Sequence, residues 1–357
     1  MSKQSKSRPG SAISTFRIEI APPDFNNLLA VLRREQPARP TLFELFLNGT
    51  LHERMGGPPD PSWSQDIGGH LTAVRAFRNA GYDYFTIGVP NFGFPSGPAR
   101  QESTRSLNEG AVILDRASFD AYKWPDPADA DYSFLDRIAS YLPDGLKLIV
   151  LGPCGVLENV INLTGYDNLC YMLADDRALV SDVFEQVGSR LVEYYRGAVR
   201  CGAVGAIIGN DDWGFKSQTM LSAADMRHFV FPWHKQIVAA AHEVGKPAIL
   251  HSCGCLGTVM DDIIDDMRYD ARHSFEDVIQ PVESAYDQYH KRIAILGGMD
   301  LDFVCRSTPE AVYKRASAML TRTAATGAYA LGTGNSVPEY VPLTNYFAMI
   351  RAALDLR

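Results

Sequence analysis

The segment PAILHSCGCLG, residues 247–257, places His251, Cys253 and Cys255 within five residues, directly after an apolar run. His251 and Cys253 are separated by one residue, so at a strand end both side chains leave the backbone on the same side. An imidazole nitrogen beside a thiolate sulfur suits Zn2+, and a third protein ligand would leave one coordination position open to a substrate. Glu276, at the end of the next apolar run, offers a carboxylate as that third ligand. Cys255 is its rival, although CGCLG turns toward a helix there. The plain alternative is a buried thiol packed beside a hydrogen-bonded imidazole. Six Cys in 357 residues make no disulfide framework, so the thiols read as reduced, as in a cytoplasm.

Polar groups recur at the ends of the other apolar runs. TLFELFL (41–47) ends in Glu44 and Asn48, and YDYFTIGV (82–89) runs into Asn91. VGAIIGN (204–210) runs into Asn210, Asp211, Asp212 and Trp213; YDARHSF (269–275) carries His273 and leads to Glu276. IAILGG (293–298) leads to Asp300 and AYALGT (328–333) to Asn335, while LKLIVLG (146–152) ends in GPCG. Burying such groups without partners costs of order 1–3 kcal/mol each, so their recurrence points to one shared polar site. A solvated loop or a helix cap explains any single member equally well, the Asp211–Asp212 pair included.

Positioning those groups needs β-rich runs alternating with helices such as 223–244, 258–266 and 309–325, and eight such runs predict a (β/α)8 TIM barrel with its chemistry at the C-terminal mouth. The loops are elaborated: residues 100–119 read as an inserted hairpin and 55–63 as a surface loop. Residues 1–25 read as a flexible arm, and 26–357 as one domain. A hydrophobic share of 46% fits a large core, and a net charge of -8 disfavours a nucleic-acid binder. No apolar stretch predicts a membrane span or an export signal.

ILHSCGCLGTVMDDII, then SFEDVIQPVESAYDQYHKRIAILGGMDLDFVCRSTPEAV and GTGNSVPEYVPLTNYFAMIRAA, resemble the uroporphyrinogen decarboxylase superfamily. GPCGVLENVINLTGYDNL is similar to its mid-chain segment; the likeness runs from about Thr41 and is strongest after Val204. The resemblance implies a (β/α)8 barrel and a choice between porphyrinogen decarboxylation and zinc-dependent methyl transfer from a corrinoid protein to a thiol or folate. The decarboxylase carries an Arg-rich segment after its first strand; here FELFLNGTLHERMGG puts Glu44 and Asn48 where cations would grip a polycarboxylate. The zinc methyltransferases share the H-x-C pair, matched by His251 and Cys253, and usually add a Cys after the last strand, where this chain has Asn335. A more distant relative, cobalamin-independent methionine synthase, adds a Glu one strand after the pair, and Glu276 sits at a matching distance.

The expected protein is therefore a methyltransferase-like enzyme closer to the zinc-dependent members than to the true decarboxylase. Zn2+ would be held by His251, Cys253 and Glu276. Asp211, Asp212 and Asp300 would orient substrate or handle protons, with Glu44, Asn48, Asn91, Asn210, Trp213, His273 and Asn335 lining the substrate. One thiolate fewer makes such a zinc more Lewis acidic. No D-x-H-x-x-G corrinoid box is present, so a corrinoid would arrive on a partner protein; the likeness also allows a homodimer. The rivals are a lyase or decarboxylase acting on a small carboxylate, with Asp212 or Asp300 as acid, and a non-catalytic metal- or ligand-sensing barrel.

Overall fold

The structure, a computed structural model, describes residues 20–97 and 106–357. Its centre is one sheet of seven strands in sequence order: β1 (Tyr84–Ile87), β2 (Lys147–Leu151), β3 (Val204–Asn210), β4 (Ala248–His251), β5 (Ala271–His273), β6 (Ala294–Leu296) and β7 (Tyr329–Ala330). Every neighbouring pair is parallel. Parallel neighbours need a crossover at each step, and helices such as Arg177–Ala198, Phe231–His242 and Pro309–Thr323 supply them. Helices cover the outer face of the strands, and side chains packed inside the curled sheet cover the inner face. That is why KLIVL and VGAIIGN are nearly continuously apolar rather than alternating.

The eighth strand expected at 41–47 does not form a ladder. Its backbone bridges to the end of β7 at Leu42↔Leu331 and further on at Leu47↔Val337. On the β1 side, side chains replace the ladder. The Tyr84 hydroxyl accepts from the Glu44 N–H at 2.6 Å and donates to the Glu44 carbonyl at 2.7 Å, while Thr86 Oγ1 donates to the Leu45 carbonyl at 2.6 Å. The result is a curled parallel sheet of α/β type, compatible with a TIM-barrel-like fold, with this segment lying across the gap between β7 and β1.

Two further expectations change. The arm ends sooner than residue 25: Asp24 caps the helix Phe25–Leu32, and Phe25 is buried. The Asp24 N–H also donates to Asp83 Oδ1 at 2.8 Å, which ties this helix to the sheet. The remainder of the arm, 1–19, lies outside the described residues, as do 100–105 of the expected inserted hairpin. Its described part, 106–119, holds no strand and instead enters the helix Arg116–Ala121. Among the described residues, no helix is long and apolar enough to cross a membrane.

Candidate metal centre

Register builds the site. Asn210, His251 and His273 are Cα partners across β3, β4 and β5, so the parallel ladder presents all three on one face. Beyond the strand ends, the loops after β3 and β4 are held together by backbone. The Gly214 N–H donates to the Cys253 carbonyl at 3.1 Å and the Cys255 N–H to the Phe215 carbonyl at 2.8 Å. This approach requires glycine on both sides, because a Cβ on Gly254 would meet the Gly214 carbonyl carbon at 2.2 Å and Gly254 has φ +92. Asp212 Oδ1 then accepts from the Cys253 N–H at 2.9 Å.

These contacts gather Asp212, His251 and Cys253, whose ligand atoms all lie within 4.8 Å of one another. His251 Nε2 is 4.0 Å from Cys253 Sγ and 4.0 Å from Asp212 Oδ1. Cys253 Sγ also receives Asn335 Nδ2 at 3.3 Å and the Ser274 hydroxyl at 3.4 Å. Burial pushes the Cys253 thiol strongly upward, and the nearby Asp212 carboxylate adds to that shift. Burial also lowers His251, so its imidazole is held neutral. The Asp212 side chain is 44% exposed, which makes it the member of the trio open to solvent.

The third donor near the sulfur is therefore the carboxylate of Asp212, which the sequence assigned to substrate and protons. Glu276 is not part of this group; it lines a small cavity with Gly254, Arg272 and Ser274, and its charge adds only a lesser push on the thiol. Cys255 is likewise outside the group.

Several other expected catalytic and substrate-binding residues have structural partners. Glu44 is fully buried, and its two carboxyl oxygens accept from the Thr333 N–H and hydroxyl, both at 2.6 Å. It fastens the 41–47 segment to the end of β7. Asp211 is also fully buried; it accepts from the Leu157 and Glu158 N–H groups and faces His234 Nε2, each at 2.9 Å. It therefore caps the helix Val156–Thr164 from across the sheet. Asp300 caps the helix Leu301–Arg306, and Asn48 caps the helix Gly49–Gly56. Asn210 Oδ1 accepts from the Gly152 N–H at 2.9 Å, and Asn91 occupies an exposed left-handed turn with φ 65. Trp213 is wholly buried against His234 and Phe231.

Glu158 is the acid that the sequence reading missed. Burial, reinforced by Asp211 and Asp212, raises it from the usual 4.5 to about 8. Its Oε2 accepts from the Gly155 N–H at 3.2 Å. In the sequence it reads only as a first-turn helix acid after GPCG, with no sign that β2 delivers it beside Asp212.

With this geometry in place, comparison with known proteins fixes the family. The uroporphyrinogen decarboxylase (URO-D) model matches residues 109–356, and the chain belongs to that family. No curated protein matches it. Among solved structures, a methyltransferase from Methanosarcina mazei is similar with a TM-score of 0.67 at 14% identity, covering 92% of this chain and 97% of that one. A structure described as a vitamin-B12-independent methionine synthase from Listeria monocytogenes has a TM-score of 0.39 at 11% identity, covering 89% and 98%. A GH5-4 endoglucanase from Bacteroides salanitronis has a TM-score of 0.43 at 12% identity, covering 97% and 99%.

Proposed function

We propose that this chain is a metal-dependent methyltransferase that holds Zn2+ with His251, Cys253 and Asp212 and moves a methyl group to a thiol or similar acceptor. The supporting observation is the trio itself: one nitrogen, one sulfur and one oxygen donor within 4.8 Å, at the carboxyl ends of adjacent parallel strands. The donor chemistry fits zinc, whose bonds of about 2.0–2.3 Å to N, S and O would need only a small contraction of such a set. Bound there, zinc supplies Lewis acidity that lowers the pKa of an acceptor thiol toward neutrality.

The chain's own groups do the remaining work. Asn335 stands where related zinc methyltransferases are expected to carry a second Cys, and its amide donates to Cys253 Sγ instead. It stabilises negative charge on that sulfur without adding a thiolate. The Ser274 hydroxyl does the same from the β5 side. Asp212, half-exposed, holds the Cys253 N–H and forms the solvent edge at which an acceptor enters. A methyl donor of corrinoid type would be carried by a separate protein, since the chain has no corrinoid box.

Elemental analysis of protein purified without chelator tests this reading. One equivalent of zinc is expected, falling below about a tenth in His251→Ala and Cys253→Ala, with a comparable loss in Asp212→Ala but not in Glu276→Gln. Methyl transfer from methylcobalamin to a small thiol should follow the metal content. Metal-free wild type with no transfer rejects the proposal in favour of a lyase or a ligand-binding barrel.

A further inference from the structure

We infer that His273 is a positioning residue that sets the tautomer of His251, so that His251 Nε2 faces Asp212 and Cys253 as a bare lone pair. The metal-binding consequence rests on the function proposed above; the tautomer itself does not. Cα pairing of β4 with β5 sets the two rings side by side, with His251 Nδ1 and His273 Nδ1 2.7 Å apart. Two neutral imidazoles at that distance share one hydrogen, so one ring donates and the other accepts. Both rings are buried, His273 wholly, in surroundings that disfavour an imidazolium.

The direction of the shared bond follows from the far side of His273. Its Nε2 lies 3.4 Å from the Thr333 carbonyl oxygen, which can only accept. His273 therefore carries its hydrogen on Nε2 and leaves Nδ1 bare. His251 must then donate from Nδ1, which strips the hydrogen from its own Nε2. That nitrogen is the one 4.0 Å from both Cys253 Sγ and Asp212 Oδ1. The opposite assignment sets two lone pairs against each other at the carbonyl, on a ring that is wholly buried.

The carbonyl that decides this is fixed in place. Both Thr333 donors bind the Glu44 carboxyl at 2.6 Å, and the Gly298 N–H donates to the same carbonyl at 2.9 Å. Room for the His273 ring comes from Gly297, where a Cβ would meet His273 Nε2 at 2.8 Å and the Thr333 oxygen at 2.2 Å. The edge of Phe43, with centroids 5.1 Å apart, steadies the ring from the remaining side. A four-part relay, Glu44–Thr333–His273–His251, thus runs from the bridging segment at 41–47 to the metal centre.

Long-range 1H–15N correlation spectra of histidine-labelled, metal-free wild type read the tautomer directly, with His251→Ala and His273→Asn assigning the signals. A His251 ring protonated at Nδ1 is expected; a ring protonated at Nε2 overturns the inference. Zinc affinity measured against a chromogenic chelator gives a second readout. His273→Phe keeps the aromatic packing but removes the acceptor, and should weaken zinc about 10–100-fold. His273→Asn places a carbonyl oxygen near the former Nδ1 and should recover most of that loss. Zinc binding unchanged in His273→Phe overturns the relay while leaving the metal centre intact. Wild type that binds no zinc rejects the metal reading alone, and the spectra still decide the tautomer.

Discussion

Glu44 shows how far burial alone can move a residue away from its expected job. Removal from water raises its carboxyl from 4.5 to about 8, with the Thr333 hydrogen bonds only partly opposing the rise. The folded chain therefore keeps a proton on Glu44 that the unfolded chain releases near pH 4.5. Stability from this group is complete below that pH and is lost as pH rises through about 8, at up to about 1.4 kcal/mol per pH unit in between. Glu44→Gln should flatten that slope, so that its midpoint in chemical denaturation approaches or exceeds the wild-type value at pH 8–9. A slope unchanged by the substitution would assign the pH dependence to other groups. His251 and Cys253 were legible because strand-end alternation needs no tertiary information. Asp212 as their companion was not, because it depends on how closely two separate loops approach. Glu158 was hidden for the same reason: its environment comes from a neighbouring strand.

At the scale of elements, the helix Val156–Thr164 depends on a carboxylate from outside itself. Asp211 accepts two of its first N–H groups and also faces His234, whose other nitrogen meets the Tyr269 hydroxyl at 2.7 Å. Asp211→Ala leaves three buried polar partners unmatched and should cost about 3–5 kcal/mol, read as a lower urea midpoint. On the proposed function, any folded fraction should bind zinc as the wild type does, because Asp211 is outside the candidate trio; loss of zinc in step with Asp212→Ala would refute that separation. Seven of the eight apolar runs were recognisable as strands, since burial on both faces leaves a continuous hydrophobic signature. The run at 41–47 carries the same signature. Its missing ladder is traceable only to the Tyr84 and Thr86 hydroxyls, which satisfy Glu44 and Leu45 across the chain.

At the scale of the molecule, charged side chains bind the start and end of the described chain to the sheet. Arg39 pairs with Asp83 at 2.5 Å. Arg357 donates from Nη1 to the Gly81 carbonyl at 2.8 Å and from Nε to the Pro40 carbonyl at 3.0 Å. Burial lowers Arg357 to about 10, so the contact retains its charge at neutral pH. Arg357→Ala should cost about 1–3 kcal/mol and lower the melting temperature. Faster amide exchange should be concentrated at β1 and the 41–47 segment; uniform acceleration would mean that the residue acts on the whole fold.

The tight seam between Gly214 and Gly254 has a bearing on how the centre fills. Two of the three candidate donor groups sit on loops already locked to each other by main-chain bonds, so on the proposed function an arriving ion would meet a finished receptacle and have little polypeptide to rearrange. Uptake should then be quick and indifferent to viscosity, and stripping the ion should leave the backbone where it was. A larger residue at either glycine would pry apart Asp212 and Cys253 together, so the two donors stand or fall as a pair.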